Sequence, residues 1–308
     1  MSHKPSKPLI PRLQVFEIAD QLWFPSLLRK YMQAALTAAW TTYIPHLQQS
    51  SPAGIVARLL SQPNLLPHSP SKYVFIDFCA GAGGPTPQIE KHINSSLTHH
   101  HSRKSPQVSY AQAAARPEPV KFILTDLHPH EELWSAFASA SPNLTFIPES
   151  VDASNAPASL TQQQGKKVFR LFNLAFHHFD DTLARKILKN TVDTSDGFGI
   201  FELQDRTIGG GFVTCCLFGV ATMLLAPYYA FVWKSPLALV FTYLFPALPF
   251  VLVWDGWMSS LRTRTAEEVE QMLRGCGGDG VEDWVVKSGS ESFMWPVGKV
   301  NWVVGYKK

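Results

Sequence analysis

The chain has 308 residues and a net charge of +3, with 45% hydrophobic but only 17% charged residues. This composition indicates a globular protein that is poor in charge. No Lys/Arg cluster is dense enough to follow a phosphate backbone, which excludes nucleic acid as the expected partner. The cysteines lack disulfide or zinc spacing, and no apolar signal-peptide core follows the N-terminus. We therefore expect an intracellular protein with reduced thiols and no metal site.

The first 70 residues are expected to form a helical segment. Apolar residues recur at helical spacing from Leu13 to Thr42, around Pro25, and a second helix is predicted over Ala53–Leu60. A Pro-, Ser- and Asn-rich stretch from Ser61 to Ser71 predicts a linker to the next unit.

The most informative stretch follows this linker and reads VFIDFCAGAGGPTP. Val74–Ile76 predicts a buried strand, which is followed by Asp77 and by a glycine-rich turn, Gly81–Gly84. Glycines let the backbone approach a ligand closely, and the N–H groups of a following helix favour a carboxylate or phosphate. A dinucleotide-binding turn would need a third glycine where Thr86 stands. The pattern acid-x-Gly-x-Gly-x-Gly fits better, with Cys79 in place of its first glycine, and a tight turn without a ligand is the alternative.

A polar segment interrupts the pattern after the helix that begins near Thr86. Residues from about 95 to 119 are rich in Ser, His, Ala and Pro and have no apolar periodicity, which predicts a disordered loop. The tract His99–His101 lies inside this segment. We interpret it as a solvated tract and not as a metal site.

Strands then alternate with helices. This alternation predicts a parallel sheet with helices on both faces. The further strands are expected at Val120–Leu124, Leu144–Ile147, Val168–Phe172 and Gly199–Leu203, with a helix over Asp181–Asn190.

An apolar stretch interrupts this alternation at residues 207–256. Between Thr207 and Trp254 the only charged residue is Lys234. Each half of the stretch has about twenty residues, enough to span a bilayer as a helix. If the flanks belong to one soluble domain, the halves form a membrane hairpin with Lys234–Pro236 at its tip. A buried lid or a dimer-forming pair of helices is the alternative.

The chain ends with a helix over Thr265–Arg274 and two strands, Asp283–Lys287 and Asn301–Tyr306. Because no helix separates these strands, they should pair antiparallel at the sheet edge. From about Lys72 onward, the glycine turn, the alternation and this ending resemble the class I, Rossmann-like, S-adenosyl-L-methionine (SAM)-dependent methyltransferases. Two flanking segments are also similar to uncharacterised methyltransferase-like proteins of fungi and bacteria.

The resemblance implies an α/β fold with a seven-stranded, mostly parallel sheet and helices on both faces. Residues 71–206 and 257–308 would form this core, with the apolar hairpin inserted between them. The resemblance also implies that SAM is the cofactor: the glycine turn would hold its methionine part, Asp126 its ribose hydroxyls, and Asp152 the adenine amino group. The implied cofactor-binding residues are Asp77, Cys79, Gly81, Gly83, Gly84, Asp126, Asp152 and Asn173.

Two histidines follow the fourth strand, where the methyl donor and acceptor would meet. His177 and His178 are candidate general bases, because histidine exchanges protons near neutral pH. The alternative is a pair of helix-start residues bonded to the backbone. Glu202 and Asp180 are weaker candidates for the base.

These observations predict a membrane-associated SAM-dependent methyltransferase with its soluble domain on the cytoplasmic side. An apolar insertion beside the cofactor favours O- or C-methylation of a small apolar or lipid-like acceptor, with membrane lipid as a partner. The Asn-Pro-Pro-Tyr motif of nucleobase amino-methyltransferases is absent from the sequence. The alternative function is a methyltransferase-like scaffold that binds SAM weakly and holds a membrane partner.

Overall fold

A single seven-stranded sheet forms the centre of the protein. The computed structural model describes residues 8, 10–104, 118–163, 165–295 and 297–308, with side chains described outside 99–104. The strands are β1 (Tyr73–Phe78), β2 (Lys121–Thr125), β3 (Leu144–Phe146), β4 (Lys167–Asn173), β5 (Gly197–Glu202), β6 (Trp284–Met294) and β7 (Gly298–Lys307). They lie in the order β3-β2-β1-β4-β5-β7-β6, and β7 alone runs opposite to the other six strands.

Helices cover both faces of this sheet. They are α1 (Ser26–Thr41), α2 (Pro52–Leu60), α3 (Thr86–Lys104), α4 (Glu131–Ala140), α5 (Ala158–Thr161), α6 (Asp181–Thr194), α7 (Thr214–Val232), α8 (Leu237–Leu239), α9 (Ala247–Arg262) and α10 (Ala266–Arg274). Apolar side chains of α2, α3 and α4 pack on one face, and those of α5, α6 and α10 pack on the other. The expected seven-stranded, mostly parallel α/β fold and its antiparallel final pair are therefore confirmed.

The sheet topology brings four strand ends to one edge. β1, β4 and β5 are mostly apolar and almost entirely buried because both faces are covered, as is usual for central parallel strands. Since β1, β2, β4 and β5 are parallel, their carboxyl ends meet at the same edge. In open α/β sheets this edge is where ligands bind.

Two segments differ from the sequence-based expectation. Residues 10–25 form an irregular segment, with bends and turns over residues 18–24, and not the start of a helix. α1 begins only after Pro25, and the preceding segment, which we call the N-terminal arm, is held by bonds to α9. Helix α3 runs to Lys104, so residues 95–104 are helical and were wrongly expected to form a loop. The rest of that loop, 105–117, lies outside the described residues.

The apolar insertion folds as a broken helical hairpin. A continuous helix, Ile208–Val232, begins with a π-helical turn and continues as α7, and it is the one described helix long and apolar enough to span a membrane. The return half consists of Leu237–Leu244 and α9, which are bent by 72° at the break between them. α9 packs against α7, and the halves are separated near Lys234–Pro236, as the sequence predicts.

The tip of this hairpin packs against α1. Tyr31 hydrogen-bonds Ser235, and its ring stacks on Trp233 with the ring centroids 6.0 Å apart. The hydroxyls of Thr42 and Tyr229 are 2.9 Å apart. Because α1 also joins the main core, the tip is tied to the sheet domain and does not project away from it.

Candidate functional site

The glycine turn adopts a left-handed backbone at the carboxyl end of β1. Cys79 and Gly81 have φ values of +67° and +51°, and Gly83 and Gly84 have values of +96° and +48°. A Cβ added at Gly81 would meet nothing within 4 Å, so this residue borders open space. A Cβ at Gly83 would instead lie 2.5 Å from Phe137. Gly81 is therefore the glycine that leaves room for a ligand, while Gly83 is required for packing.

Asp126, directly after β2, holds this turn. Its Oδ2 accepts a hydrogen bond of 2.8 Å from the Gly81 N–H, and its Oδ1 accepts one of 2.8 Å from His128 N–H. Trp134 Nε1 donates to the Gly81 carbonyl at 3.0 Å. Each carboxylate oxygen has two lone pairs, so Asp126 keeps acceptor capacity for ligand hydroxyls.

Asp77 lies beneath the turn and not at its surface. It is fully buried, and its Oδ2 accepts hydrogen bonds from Thr86 Oγ1 and, at 3.2 Å, from Asn173 Nδ2. These bonds link the ends of β1 and β4 to the start of α3. Burial raises the pKa of Asp77 to about 7, since desolvation outweighs the bonds from Thr86 and Asn173.

This raised pKa predicts a pH-dependent gain in stability for Asp77→Asn. A carboxyl group whose pKa is higher in the folded state lowers the free energy of unfolding as the pH rises from about 4 to about 7. The amide variant avoids burying a charge, so it should be more stable than wild type by about 2–4 kcal/mol at pH 8. At pH 4, near the pKa of the unfolded state, the difference should fall below about 1 kcal/mol. Denaturant unfolding of both proteins at the two pH values measures it, and an equal difference at both would refute the raised pKa.

Cys79 occupies the position where the motif has a glycine. Burial raises the pKa of its thiol well above the usual range, so it is neutral near pH 7. A left-handed backbone costs a non-glycine residue about 1–2 kcal/mol, and glycine avoids this cost. Glycine, however, loses more backbone entropy on folding, which offsets about 0.5–1 kcal/mol of the gain. We therefore expect Cys79→Gly to raise the free energy of unfolding slightly, by no more than about 1 kcal/mol. Cys79→Val, which is β-branched, should destabilise the fold in the same unfolding assay. A marked loss of stability in Cys79→Gly would show that the thiol itself is needed.

His177 is buried at the edge of the site and pairs with Glu202. Its Nδ1 lies 2.9 Å from Glu202 Oε2 at the end of β5. Its other ring nitrogen, Nε2, is 3.8 Å from Glu17 Oε1. Glu202 therefore fixes the orientation of the imidazole and leaves Nε2 for other contacts.

His178 is partly exposed and contacts the N-terminal arm. Its Nδ1 is 3.2 Å from Asp20 Oδ2, and its ring centroid lies 4.3 Å from that of His177. Although burial opposes it, the hydrogen bond to Asp20 and the charges of Glu17 and Asp20 raise the pKa of His178. Neither histidine side chain serves as a helix cap, the alternative expected from the sequence.

The N-terminal arm delivers Glu17 to this pair. Asp255, on α9, accepts hydrogen bonds from the backbone N–H groups of Ile18 at 2.6 Å and Ala19 at 2.9 Å. Arg262 Nη1 donates to Glu17 Oε1 at 2.6 Å, and Ser259 Oγ donates to the same atom at 2.9 Å. Side chains of α9 thus hold both the backbone of the arm and the Glu17 carboxylate.

One cavity of about 950 Å³ joins the glycine turn to the histidine pair. Five of the sequence-predicted residues line it: Cys79, Gly81, Asp126, His177 and His178. Most of its remaining wall comes from α1, α7 and α9 and is mostly apolar. Leu174, which also lines it, has a φ of +54°. Strained residues such as Leu174 and Cys79 concentrate at functional sites.

Other predicted residues do not reach the cavity wall. Asp77 and Asn173 are buried beneath it, and the exposed Asp152 accepts hydrogen bonds of 2.7 and 2.8 Å from the backbone and hydroxyl of Ser154. Asp180 caps α6 by accepting from Leu183 N–H at 2.7 Å. The sequence reasoning missed Glu17 and Asp20, whose only signal was two acids three positions apart in an apolar segment.

Comparison with known proteins finds a distant similarity of fold to solved structures. No protein-family model and no curated protein matches the chain. A SAM-dependent methyltransferase from Anabaena variabilis is 14% identical, with a TM-score of 0.45, over 98% of this chain and 100% of that one. PigF with S-adenosylhomocysteine (SAH) is 13% identical, with a TM-score of 0.41, over 93% and 67%. The magnesium protoporphyrin IX methyltransferase ChlM from Synechocystis, with bound SAH, is 9% identical, with a TM-score of 0.40, over 83% and 82%.

Proposed function

We propose that the protein is a SAM-dependent methyltransferase that acts on an apolar or lipid-like acceptor. The observation that carries this proposal is the single cavity, which has a glycine turn and a ribose-type acid at one end, a histidine pair beside them, and apolar walls. Ligand pockets commonly have volumes of about 300–1,000 Å³. A cavity of 950 Å³ therefore has room for a cofactor and a small acceptor together.

The end formed by the glycine turn suits the cofactor. Gly81 borders open space, and Asp126 has acceptor capacity for the two ribose hydroxyls. SAM, when bound, supplies a methyl group that is already electrophilic. The chain therefore has to align the acceptor with that methyl group and to exclude water.

The opposite end suits an apolar acceptor with one reactive polar group. Side chains such as Leu36, Phe218, Leu225 and Leu252 form its wall. His177 lies at the boundary between this wall and the polar cluster, and Glu202 leaves its Nε2 free to act on the acceptor. A hydroxyl or a carbon acid at this position has to lose a proton during methylation, which histidine groups facilitate.

We propose further that the outer face of the hairpin attaches the enzyme to a bilayer. One side of α7 lines the cavity, and its other side is apolar and exposed. On that outer side Leu224 is 76% and Phe231 83% exposed, and Leu244 of the return half is 70% exposed. Apolar patches of this size are rarely left in water. Because the tip is bonded to α1, which carries Arg29 and Lys30, we favour shallow insertion parallel to the membrane surface over spanning. An acceptor dissolved in lipid would then enter the cavity beside the hairpin.

Photo-crosslinking tests the cofactor part of this proposal. Purified protein is irradiated with SAM that carries a radioactive methyl group, digested, and analysed by mass spectrometry. We expect the label on peptides containing residues 73–84 or 121–130, and we expect excess SAH, but not NAD, to suppress it. Unlabelled protein would favour the alternative, a methyltransferase-like scaffold.

A further inference from the structure

The histidine pair and the N-terminal arm place three metal-ligating side chains together. Nitrogen or oxygen atoms of Glu17, His177 and His178 all lie within 4.8 Å of one another at the acceptor end of the cavity. The 3.8 Å between Glu17 Oε1 and His177 Nε2 is too long for a hydrogen bond. Two ligands of one ion, each about 2.0–2.2 Å from it, are typically about 3–4 Å apart.

The surroundings of these side chains match those of metal ligands. His177 bonds Glu202 through Nδ1, the arrangement in which a ligating histidine is oriented by a carboxylate on its other nitrogen. Glu17 is itself held by Arg262 and Ser259, both through Oε1. No hydrogen bond reaches Glu17 Oε2 from the part of the chain that the structure describes.

The cluster also carries an excess of negative charge. Asp20 and Asp255 lie beside Glu17, and Glu202 adds a fourth carboxylate across His177. Arg262 bonds to Glu17 and Asp20, and no other guanidinium among the described residues bonds to any of the four carboxylates. Three of the four carboxylates are buried, and buried charge requires a compensating partner. A divalent cation between the imidazoles and Glu17 would supply it.

We infer that Glu17, His177 and His178 bind one divalent transition-metal ion. Two imidazoles and a carboxylate suit ions such as Zn²⁺, Fe²⁺, Mn²⁺ or Co²⁺. Soft ions that prefer sulfur ligands, such as Cu⁺, are disfavoured. Three protein ligands leave a coordination position open, as in catalytic sites. All three side chains line the cavity, so an acceptor oxygen could take that position. With the ion bound, His177 Nε2 would be a ligand and not the base, and the ion would instead lower the pKa of the bound oxygen. The acceptor class is thereby narrowed to apolar molecules with an oxygen that can coordinate the ion. This last step rests on the proposed function, whereas the metal site does not.

Cobalt titration tests the site with a spectroscopic readout. All proteins carry Asn in place of His99, His100 and His101, which removes a second histidine tract that can bind metal. The metal-stripped protein is titrated with Co²⁺ and followed by visible absorption and calorimetry. We expect one equivalent to bind with a ligand-field band, at least tenfold weaker binding in Glu17→Gln and His177→Ala, and 10- to 100-fold weaker binding in Glu202→Gln. His92→Gln, an exposed histidine on α3, is the matched control and should bind as the parent does.

Two results would overturn the inference. One is the absence of stoichiometric Co²⁺ binding by the parent protein, and the other is unchanged binding in both Glu17→Gln and His177→Ala. Circular dichroism and thermal unfolding of the same samples check that the variants are folded, and SAH titration tests the proposed function separately. SAH binding without Co²⁺ binding would reject the metal and leave the methyltransferase proposal standing, while the reverse pattern would reject the methyltransferase.

Discussion

Asp126→Ala is expected to weaken SAH binding by about 10- to 150-fold. The substitution removes the carboxylate that we assign to the ribose hydroxyls, and hydrogen bonds to a charged group contribute about 1.5–3 kcal/mol. It also leaves the Gly81 N–H without its acceptor, which loosens the turn against which the cofactor would lie. Isothermal titration calorimetry of the wild-type and variant proteins measures the change.

Asp279→Ala provides a control for this prediction. Asp279 is an exposed acid in the loop after α10, and it does not line the cavity. Its removal should change SAH affinity by less than about threefold, because surface substitutions usually cost under about 0.5 kcal/mol. Equal effects of the two substitutions would contradict the assignment of Asp126.

The second large effect is expected from charges on the outer face of the hairpin. Leu224 and Leu244 are both exposed, so replacing them with Asp should leave the fold intact. On insertion scales each Asp costs up to about 2.5–3.5 kcal/mol at the centre of a bilayer, and less near its surface. The wild type should therefore sediment with vesicles, and the double variant Leu224→Asp/Leu244→Asp should remain in the supernatant.

A charge placed elsewhere separates membrane contact from a general effect of acidity. Leu133→Asp, at an exposed position of α4 on the sheet domain, should sediment with vesicles as the wild type does. A wild type that stays in the supernatant in the presence of vesicles would contradict the membrane proposal. The hairpin would then act only as a lid over the cavity.

Local patterns in the sequence predict the sheet and the cofactor end of the site. Strand and turn signals depend on neighbouring residues, so the β1 run, the Gly81–Gly84 turn and the position of Asp126 could be predicted without tertiary information. The pairing of His177 with Glu202 follows from β4 and β5 being adjacent and parallel, since both residues lie at or just beyond the strand ends.

The N-terminal arm could not be predicted in this way. Its apolar spacing is compatible with a helix, but its backbone N–H groups bond instead to Asp255, 236 or more positions away in the chain. Pro25 then delays the start of α1. The approach of Glu17 to His177 depends on the same long-range packing against α9, and no local pattern encodes it.

At the end of helix α3 the sequence predicted a loop where the structure has a helix. Polar residues without apolar periodicity predicted a loop after Asn94, yet the helix continues to Lys104. Asn94 anchors it, because its side chain accepts from Val120 N–H at 2.8 Å and donates to Val120 O at 3.1 Å. A helix of this kind needs no apolar face in its last turns, so periodicity does not reveal it.

Calorimetric titration of the purified wild-type protein with SAH and with NAD tests the central claim most directly. The methyltransferase proposal predicts saturable binding of SAH at one site per chain and no binding of NAD, because Thr86 stands where a dinucleotide turn needs glycine. Saturable binding of NAD, or no binding of SAH by folded protein, would contradict the proposal.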